Sequence, residues 1–508
     1  MRTILTCFPD TRRMRAGWLL LLVLGTVTLV SPQVQAQFTA IQPVNSKPEE
    51  PWKPKPLSIQ PAGELIPLLK YRFLPSEAEL APGDAAPIYL RMRHEMLDAA
   101  WKAINENHTA WVELPLKDFP LAVAREFVQN WSGYLKQLEY GTHRAHCDWN
   151  YTLPEQHLEA IEILLPDAQS MRTWARLLDV KTRVEVAEGN LDAAINTIET
   201  GLAFGRHVAN GPFLINRLVG IAICQMMLER VEELVQQPGV PNLYWALTVL
   251  PRPMIDLRTA IETERRMGEL MVPELASPVQ NLTQAEWSVR LDRLMDRLQQ
   301  LTRKLAGLNQ EPNQGILKGL SEAWTKATVR SRLLGEARKT LPERHGWSVA
   351  QVDAMSDDEV TVRYIIQVYQ ETRDTAFAAA YLPTSEFEGE FKSLESRFQV
   401  VLERVKSGPL AVLVEFLPAL HNAHRATLKL DRRIAALRAV EAIRMQAATD
   451  GGKLPESWAA VKVVPIPVDP LTGVPFVYEV HEGSVEVSGR RIGNQSQTEI
   501  GFRLTIRP

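Results

Sequence analysis

Cysteine is nearly absent: three in 508 residues, of which Cys7 lies within a strongly apolar, basic leader. A disulfide framework is thereby excluded, and only Cys147 and Cys224 remain to pair; an oxidising compartment permits that pairing, whereas two buried thiols would pack as small hydrophobes. The chain also lacks a glycine-rich phosphate loop, a Gly-x-Ser-x-Gly elbow and any Cys-x-x-Cys pair. These absences remove the motif-borne nucleotide, serine-hydrolase and dithiol chemistries and leave open only an active site scattered along the chain. No basic block stands out and the formal net charge is −3, so nucleic acid is not an expected partner. Long apolar runs are missing outside residues 16–30, which argues against a multi-span membrane protein.

What is present begins with a targeting signal. Arg2, Arg12, Arg13 and Arg15 precede the apolar run, which is shorter than the roughly 20 residues of a membrane span, and Val34-Gln35-Ala36 places small residues where a signal peptidase reads. Cleavage after Ala36 is expected, with a retained signal anchor as the alternative; Arg12-Arg13 leaves the general and twin-arginine routes open. Removing residues 1–36 takes away four arginines and one aspartate, leaving 53 basic against 59 acidic residues and a formal charge of −6. The expected mature protein is periplasmic or extracellular, with no stable membrane span.

Residues 37–90 are crowded with proline from Pro43 to Pro87, which forbids long helices and predicts an extended linker, or a strap laid over the body and anchored by Trp52. Residues 91–429 carry helical periodicity. Met92, Met96, Ala100 and Ile104 predict one helix; Ala124, Phe127, Val128, Trp131, Leu135 and Leu138 predict a second, capped by Asp118 with Pro120 in its first turn. The stretch from Trp174 to Leu202 reads as a helical hairpin turning at Gly189-Asn190, and its Glu188-Gly-Asn-Leu-Asp-Ala-Ala194 segment is similar to a tetratricopeptide unit, though no second copy follows at a fixed period. An almost wholly apolar helix from Pro212 to about Gln237 is expected at the centre of the core. Seams at Leu291, Leu294, Leu298, Leu301 and Leu305, and from Phe387 to Val405, predict antiparallel packing; Ser356-Asp-Asp-Glu359 is a capping box, and Gly408-Pro409 a helix stop. Residues 430–508 change character: a helix ending at Gly451-Gly452, then strands at 476–480, 484–488 and 500–506. The fold class expected is therefore mainly α, a helical-hairpin body with a small C-terminal helix plus antiparallel β module.

That tail resembles the soluble end of type II secretion major pseudopilins through Asp450-Gly-Gly-Lys-Leu-Pro455, Val468-Asp-Pro-Leu-Thr-Gly-Val-Pro-Phe-Val-Tyr478 and Gly483-Ser-Val-Glu-Val-Ser-Gly489. The resemblance covers about a tenth of the chain and implies a long helix against a small sheet. Pseudopilins carry a membrane helix directly ahead of that sheet, where this chain has about 400 other residues, and their calcium loop is not recognisable, so calcium does not carry over to Asp469. The order of signal, proline-rich strap, Cys147-Asp-Trp, Glu-Gly-Asn-Leu-Asp-Ala-Ala, Ile255-Asp-Leu-Arg and Asp-Pro-Leu-Thr-Gly tail resembles uncharacterised exported helical proteins of planctomycete type. This implies an envelope location and a helical fold, with no reaction to transfer.

Three clusters qualify for chemistry on residue type alone. His143, His146 and Cys147 offer two imidazoles and a thiolate to zinc, but structural zinc takes four ligands and no second cluster follows. His421 and His424 share a helix face without a third ligand. Glu262, Glu264 and Arg265, with Asp256 and Arg258 upstream, form a charged network or a paired-carboxylate site; two carboxylates two residues apart on a helix diverge by about 200 degrees and cannot flank one bond alone. No catalytic, cofactor or metal residue is therefore assigned. The function expected is a non-enzymatic helical interaction scaffold with a protein partner in the cell envelope; an exported hydrolase with a scattered active site and an accessory component of a secretion or pilus-like assembly are the alternatives.

Overall fold

The computed structural model describes residues 53–150, 160–276, 282–305, 316–382, 419–490 and 500–507, with isolated positions between 386 and 400. The signal, the strap as far as Trp52, the Phe387–Val405 seam and the Gly408-Pro409 stop lie outside the described residues. In chain order the elements are β1 (Lys55–Ile59), β2 (Ala81–Asp84), α1 (Ala86–Glu95), α2 (Asp98–Trp111), α3 (Leu121–Asn130), α4 (Ser132–Thr142), β3 (Arg144–His146), α5 (Ala160–Ala187), α6 (Leu191–Ala209), α7 (Leu214–Leu234), α8 (Tyr244–Thr248), α9 (Arg258–Met271), α10 (Gln284–Leu305), α11 (Ile316–Arg344), α12 (Val349–Asp353), α13 (Asp357–Ala378), α14 (Ala419–Thr449), β4 (Val477–His481), β5 (Ser484–Ser488) and β6 (Gly501–Ile506). The protein is mainly helical, with a small sheet at its C-terminal end, as the periodicities predict.

Contacts divide the chain into two units. The smaller one takes residues 272–372 among those described. In it α10 buries Leu291, Leu294 and Leu298, as the seam predicts, and α13 opens on the Ser356 hydroxyl, which accepts from the Glu359 amide at 3.2 Å. The larger unit takes residues 53–271 and the described positions from 373 onward. This division falls at neither residue 90 nor residue 429.

The larger unit is built on α5, α6 and α7. Helix α5 ends where Gly189 enters the left-handed region (φ +74°), and the Asn190 amide returns to the Glu185 carbonyl at 2.9 Å, which satisfies the last turn and starts α6 antiparallel to it. Between α6 and α7 the backbones touch: a Cβ built on Gly220 would lie 2.4 Å from the Gly205 carbonyl oxygen and 2.7 Å from the Ala209 Cβ, so only glycine fits. Helices α2 and α3 pack on α5, α4 packs on α6, and α7 is further covered by α9 and α14, which is why its apolar surface runs all the way round. Trp111, Phe119, Ala124, Val180 and Val184 form one apolar cluster; Tyr244, Ala442, Met445, Val461 and Val464 form another.

Several expectations are corrected. The helix through Met92 and Ile104 is two helices, because Met96 and Leu97 are extended (ψ 127° and 151°). The helix through Ala124 and Leu138 also breaks, at Trp131, and Asp118 sits in a 3-10 turn while α3 begins only after Pro120, whose ring leaves no amide to bond inside a helix. The strap gains a strand that its sequence did not show. Residues 55–59 form β1, parallel to β6 in a four-stranded sheet ordered β1-β6-β5-β4, with Leu57 and Ile59 fully buried. The C-terminal module thus has the three strands read from its sequence and a fourth from the opposite end of the chain.

Helix α14 differs from expectation in its surroundings. Its apolar positions Leu430, Ile434, Leu437, Val440 and Ile443 form a single stripe, yet α14 touches α7, α8, β5 and β6, and nearly every residue from Leu430 to Ala447 is buried. Its charges are matched sideways. Arg432 is bidentate to Asp469 (2.9 and 2.7 Å) with both side chains 1% exposed, and Arg433 meets Glu232 at 2.5 Å. Arg444 holds Glu441 at 2.7 Å and donates to the carbonyls of Val240 and Gln60. Glu232 also takes Lys55 at 2.5 Å, tying β1 to α7.

Candidate functional site

Most residues nominated by type are engaged in structural bonds. The Glu264 carboxylate accepts the Leu214 amide at 2.9 Å at the start of α7, and burial raises its pKa. Glu262 instead accepts the Tyr381 hydroxyl at 2.6 Å, so the two carboxylates diverge as the helix requires. Arg265 bonds Asp374 at 2.9 Å, and Arg258 folds back on Asp256 at 2.6 Å. His424 Nε2 lies 3.0 Å from the Ala380 carbonyl, and burial lowers its pKa; the side chain of His421 lies outside the described residues. His143 Nδ1 bonds the Glu139 carbonyl at 2.9 Å, His146 is exposed on β3, and the buried Cys147 thiol is pushed well up by desolvation, so the structure does not bring these three together. Cys147 and Cys224 are separate buried thiols. Burial pushes the Cys224 thiol up to about 12, which leaves it protonated and unreactive.

A buried polar seam between α2, α5 and α7 was invisible to motif reading. His108 Nε2 lies 3.1 Å from Asp179 Oδ2, the other Asp179 oxygen faces Arg230 Nε at 3.2 Å, Arg230 reaches Glu233 at 2.8 Å, and Glu233 reaches Arg183 at 2.9 Å. Arg183 in turn donates to the carbonyls of Trp111 and Leu114. Spacings of four and three, Asp179-Arg183 on α5 and Arg230-Glu233 on α7, place the members on facing helix sides; the sequence signal was that periodicity occupied by charges rather than aliphatics. An imidazole–carboxylate pair is the base half of a hydrolytic triad, but a triad also needs a hydroxyl or thiol within hydrogen-bond reach of the imidazole. Among the described residues His108 bonds only Asp179. The seam ties three helices together.

A groove of about 610 Å³ in the smaller unit is lined by apolar side chains and by Glu274, Glu286, Arg290 and Arg293, without a histidine or cysteine among its described residues. Its Arg290 donates to the carbonyls of Glu274 and Ala276.

The feature with the clearest reach toward a partner is a loop. After β1 the Ala62 amide donates to the Arg444 carbonyl at 3.1 Å, and Asn242 donates to the Ala62 carbonyl at 3.2 Å, which pins the chain to α14. On the far side Phe73 is fully buried, and the Tyr71 hydroxyl donates to Asp192 at 2.5 Å. Between these anchors the chain turns through a Lys70 amide to Pro67 carbonyl bond and raises Ile66, Leu68 and Leu69 into solvent, Ile66 at 94% exposure. Three large aliphatics exposed in one short turn differ from the scattered apolar residues of an ordinary surface. Trp245 Nε1 approaches Glu64 at 3.4 Å at the base of the same turn. Comparison of the chain with family models, with curated proteins and with solved structures gives no match.

Proposed function

We propose that the protein acts, after export, as a non-enzymatic helical scaffold that engages a protein partner of the cell envelope through the apolar turn at Ile66–Leu69. The observation that carries this reading is the combination of an aliphatic tip, Ile66 in solvent beside the half-exposed Leu68 and Leu69, with a base held on both sides. A tip held in place has little conformational entropy left to lose on binding. Burying Ile66 contributes roughly 1.5–3 kcal/mol, and Leu68 and Leu69, already more than half covered, about half as much each. That suffices for a central anchor but covers too little area for a whole interface, which takes about 800 Å² from each partner. The partner is therefore expected to offer an apolar pocket to the tip and to spread over the surrounding polar surface. The engagement of Glu262, Glu264, Arg265 and His424 in structural bonds supports a binding role over the hydrolase alternative.

The test is a photoreactive residue placed at position 66 in the native host. One discrete cross-linked species in the envelope fraction, lost when Leu68→Asp and Leu69→Asp are added beside the probe with circular dichroism unchanged, is the expected result. If the adducts are diffuse and survive the charge substitutions, the turn is not the docking element. A cross-linked species containing only this chain would point instead to the assembly-component reading.

A further inference from the structure

We infer that the outer face of the β4–β5 hairpin is a binding site for one borderline divalent metal ion, of the zinc class, held by Glu479, His481 and Glu486. The inference is independent of the interaction reading. Strand side chains alternate, so Glu479 and His481, two apart on β4, stand on the same face. The register pairs Glu479 directly with Glu486 on β5, which brings the third side chain to that face. One ligand atom from each of the three lies within 4.8 Å of the other two. Tetrahedral bonds of about 2.0–2.2 Å to nitrogen and oxygen put neighbouring ligand atoms about 3.4 Å apart, so closing on an ion asks only for small side-chain rotations.

The frame around these ligands is stiff. Gly483 turns the hairpin at φ +72°, a conformation that fixes the two-residue connection, and β5 is held on its other side by β6. Glu486 is the least exposed of the three, at 12% for its side chain, and Arg503 on β6 bonds one of its oxygens at 3.1 Å. A carboxylate has two oxygens. His481 Nε2 and Arg503 approach the same oxygen, Oε2, at 3.8 and 3.1 Å, so binding asks the carboxylate to rotate and share its two oxygens between the ion and Arg503, the arrangement by which outer partners orient a metal-bound carboxylate. The arginine charge also trims the affinity, as does the exposure of Glu479 and His481. Three protein ligands leave the fourth tetrahedral position to water, the pattern of an open rather than a purely structural site. One imidazole with two carboxylates favours zinc, cobalt or nickel; calcium and magnesium take six or more oxygens, and this face supplies too few. Motif reading missed the set because two ligands come from one strand and one from the next, across a turn.

The experiment is titration of the metal-free, full-length mature protein with zinc chloride near neutral pH by calorimetry, with cobalt(II) absorption as a second readout. About one equivalent is expected to bind, with cobalt giving the intense visible bands of a four-coordinate centre, and with calcium and magnesium giving no heat at the same concentrations. His481→Ala and the near-isosteric Glu486→Gln should each weaken binding by at least about tenfold. His481 lies at an exposed position and Glu486→Gln keeps the shape of the more covered side chain, and their thermal melts report whether the hairpin is intact. Two results overturn the inference: zinc binding that survives both substitutions in folded protein, which would move the ion to other histidines, or no binding to the wild-type chain at tenfold excess metal.

Discussion

At the level of single residues, the chain places charge where apolar side chains are the rule. Arg432 and Asp469 form a bidentate pair at 1% exposure, and the Leu471 amide donates to the same carboxylate at 3.0 Å. Removing one partner leaves the other charged and buried, so Asp469→Ala is expected to lose about 3–5 kcal/mol in denaturant unfolding. Replacing both, as Arg432→Met with Asp469→Leu, should recover much of that loss; a double variant as unstable as the single one would mean that the pair does more than neutralise itself. Asp431, next on the same helix, behaves differently. Burial pushes its pKa up to about 6, against the lowering effects of the Met254 amide bond and Arg252. An acid with a raised folded pKa is stabilised when protonated, so its unfavourable contribution is absent below about pH 4, grows as pH rises to 6 and stays constant above. Asp431→Asn, which keeps an acceptor for the Met254 amide, should therefore be more stable than wild type by about 3 kcal/mol at pH 8, with the difference shrinking toward zero at pH 4. His207, pushed down to about 4 chiefly by burial, acts in the opposite sense: its contribution is lost as pH falls below about 6.5. Unfolding curves of wild type and Asp431→Asn at several pH values separate the two, since His207 is common to both.

Among the secondary-structure elements, what was legible in the sequence follows from how local each signal is. The Gly189 turn, the Ser356 cap, the stop at Gly451-Gly452 and the β4, β5 and β6 strands are written within a few residues of where they act, and the structure keeps them. Strand β1 was not legible, because Pro54 and Pro56 in Lys-Pro-Lys-Pro mask a strand that forms only when β6 supplies its partner. The breaks at Met96–Leu97 and Trp131 were missed because apolar spacing continues across them. The polar seam and the hairpin metal face were missed because their members lie on different elements. The backbone approach of α6 and α7 yields a sharp prediction. Gly220→Ala puts a methyl group where the Gly205 carbonyl and the Ala209 side chain already stand, so α6 and α7 must separate. A destabilisation of at least about 1–3 kcal/mol is expected, whereas Gly133→Ala, with nothing within 4 Å of its added Cβ, should be neutral or stabilising. Equal melting temperatures for the two variants would contradict the close approach.

For the whole molecule, the C-terminal module is part of the larger unit rather than an appendage. Ending the chain after Asp450 would remove Asp469 from Arg432, the Pro465 carbonyl from the Tyr244 hydroxyl, and Val461 and Val464 from the cluster around Ala442 and Met445. Such a truncation is expected to melt at a clearly lower temperature and to bind an apolar dye; an unchanged melting temperature with no dye binding would show the module to be independent. The place of β6 bears on the order of folding. It is the last strand in the sequence, yet it lies inside the sheet, between β1 and β5. Strand β1 has no neighbour in its sheet until β6 has been made, and closing a loop of roughly 450 residues costs about 5 kcal/mol in chain entropy before any sheet bond repays it. Helices α5, α6 and α7, whose contacts are local, can form meanwhile. Pulse-labelled hydrogen exchange during refolding should accordingly find the amides of α6 and α7 protected first and those of β1 and β6 last, so that the two distant ends of the larger unit are joined only after its helices stand.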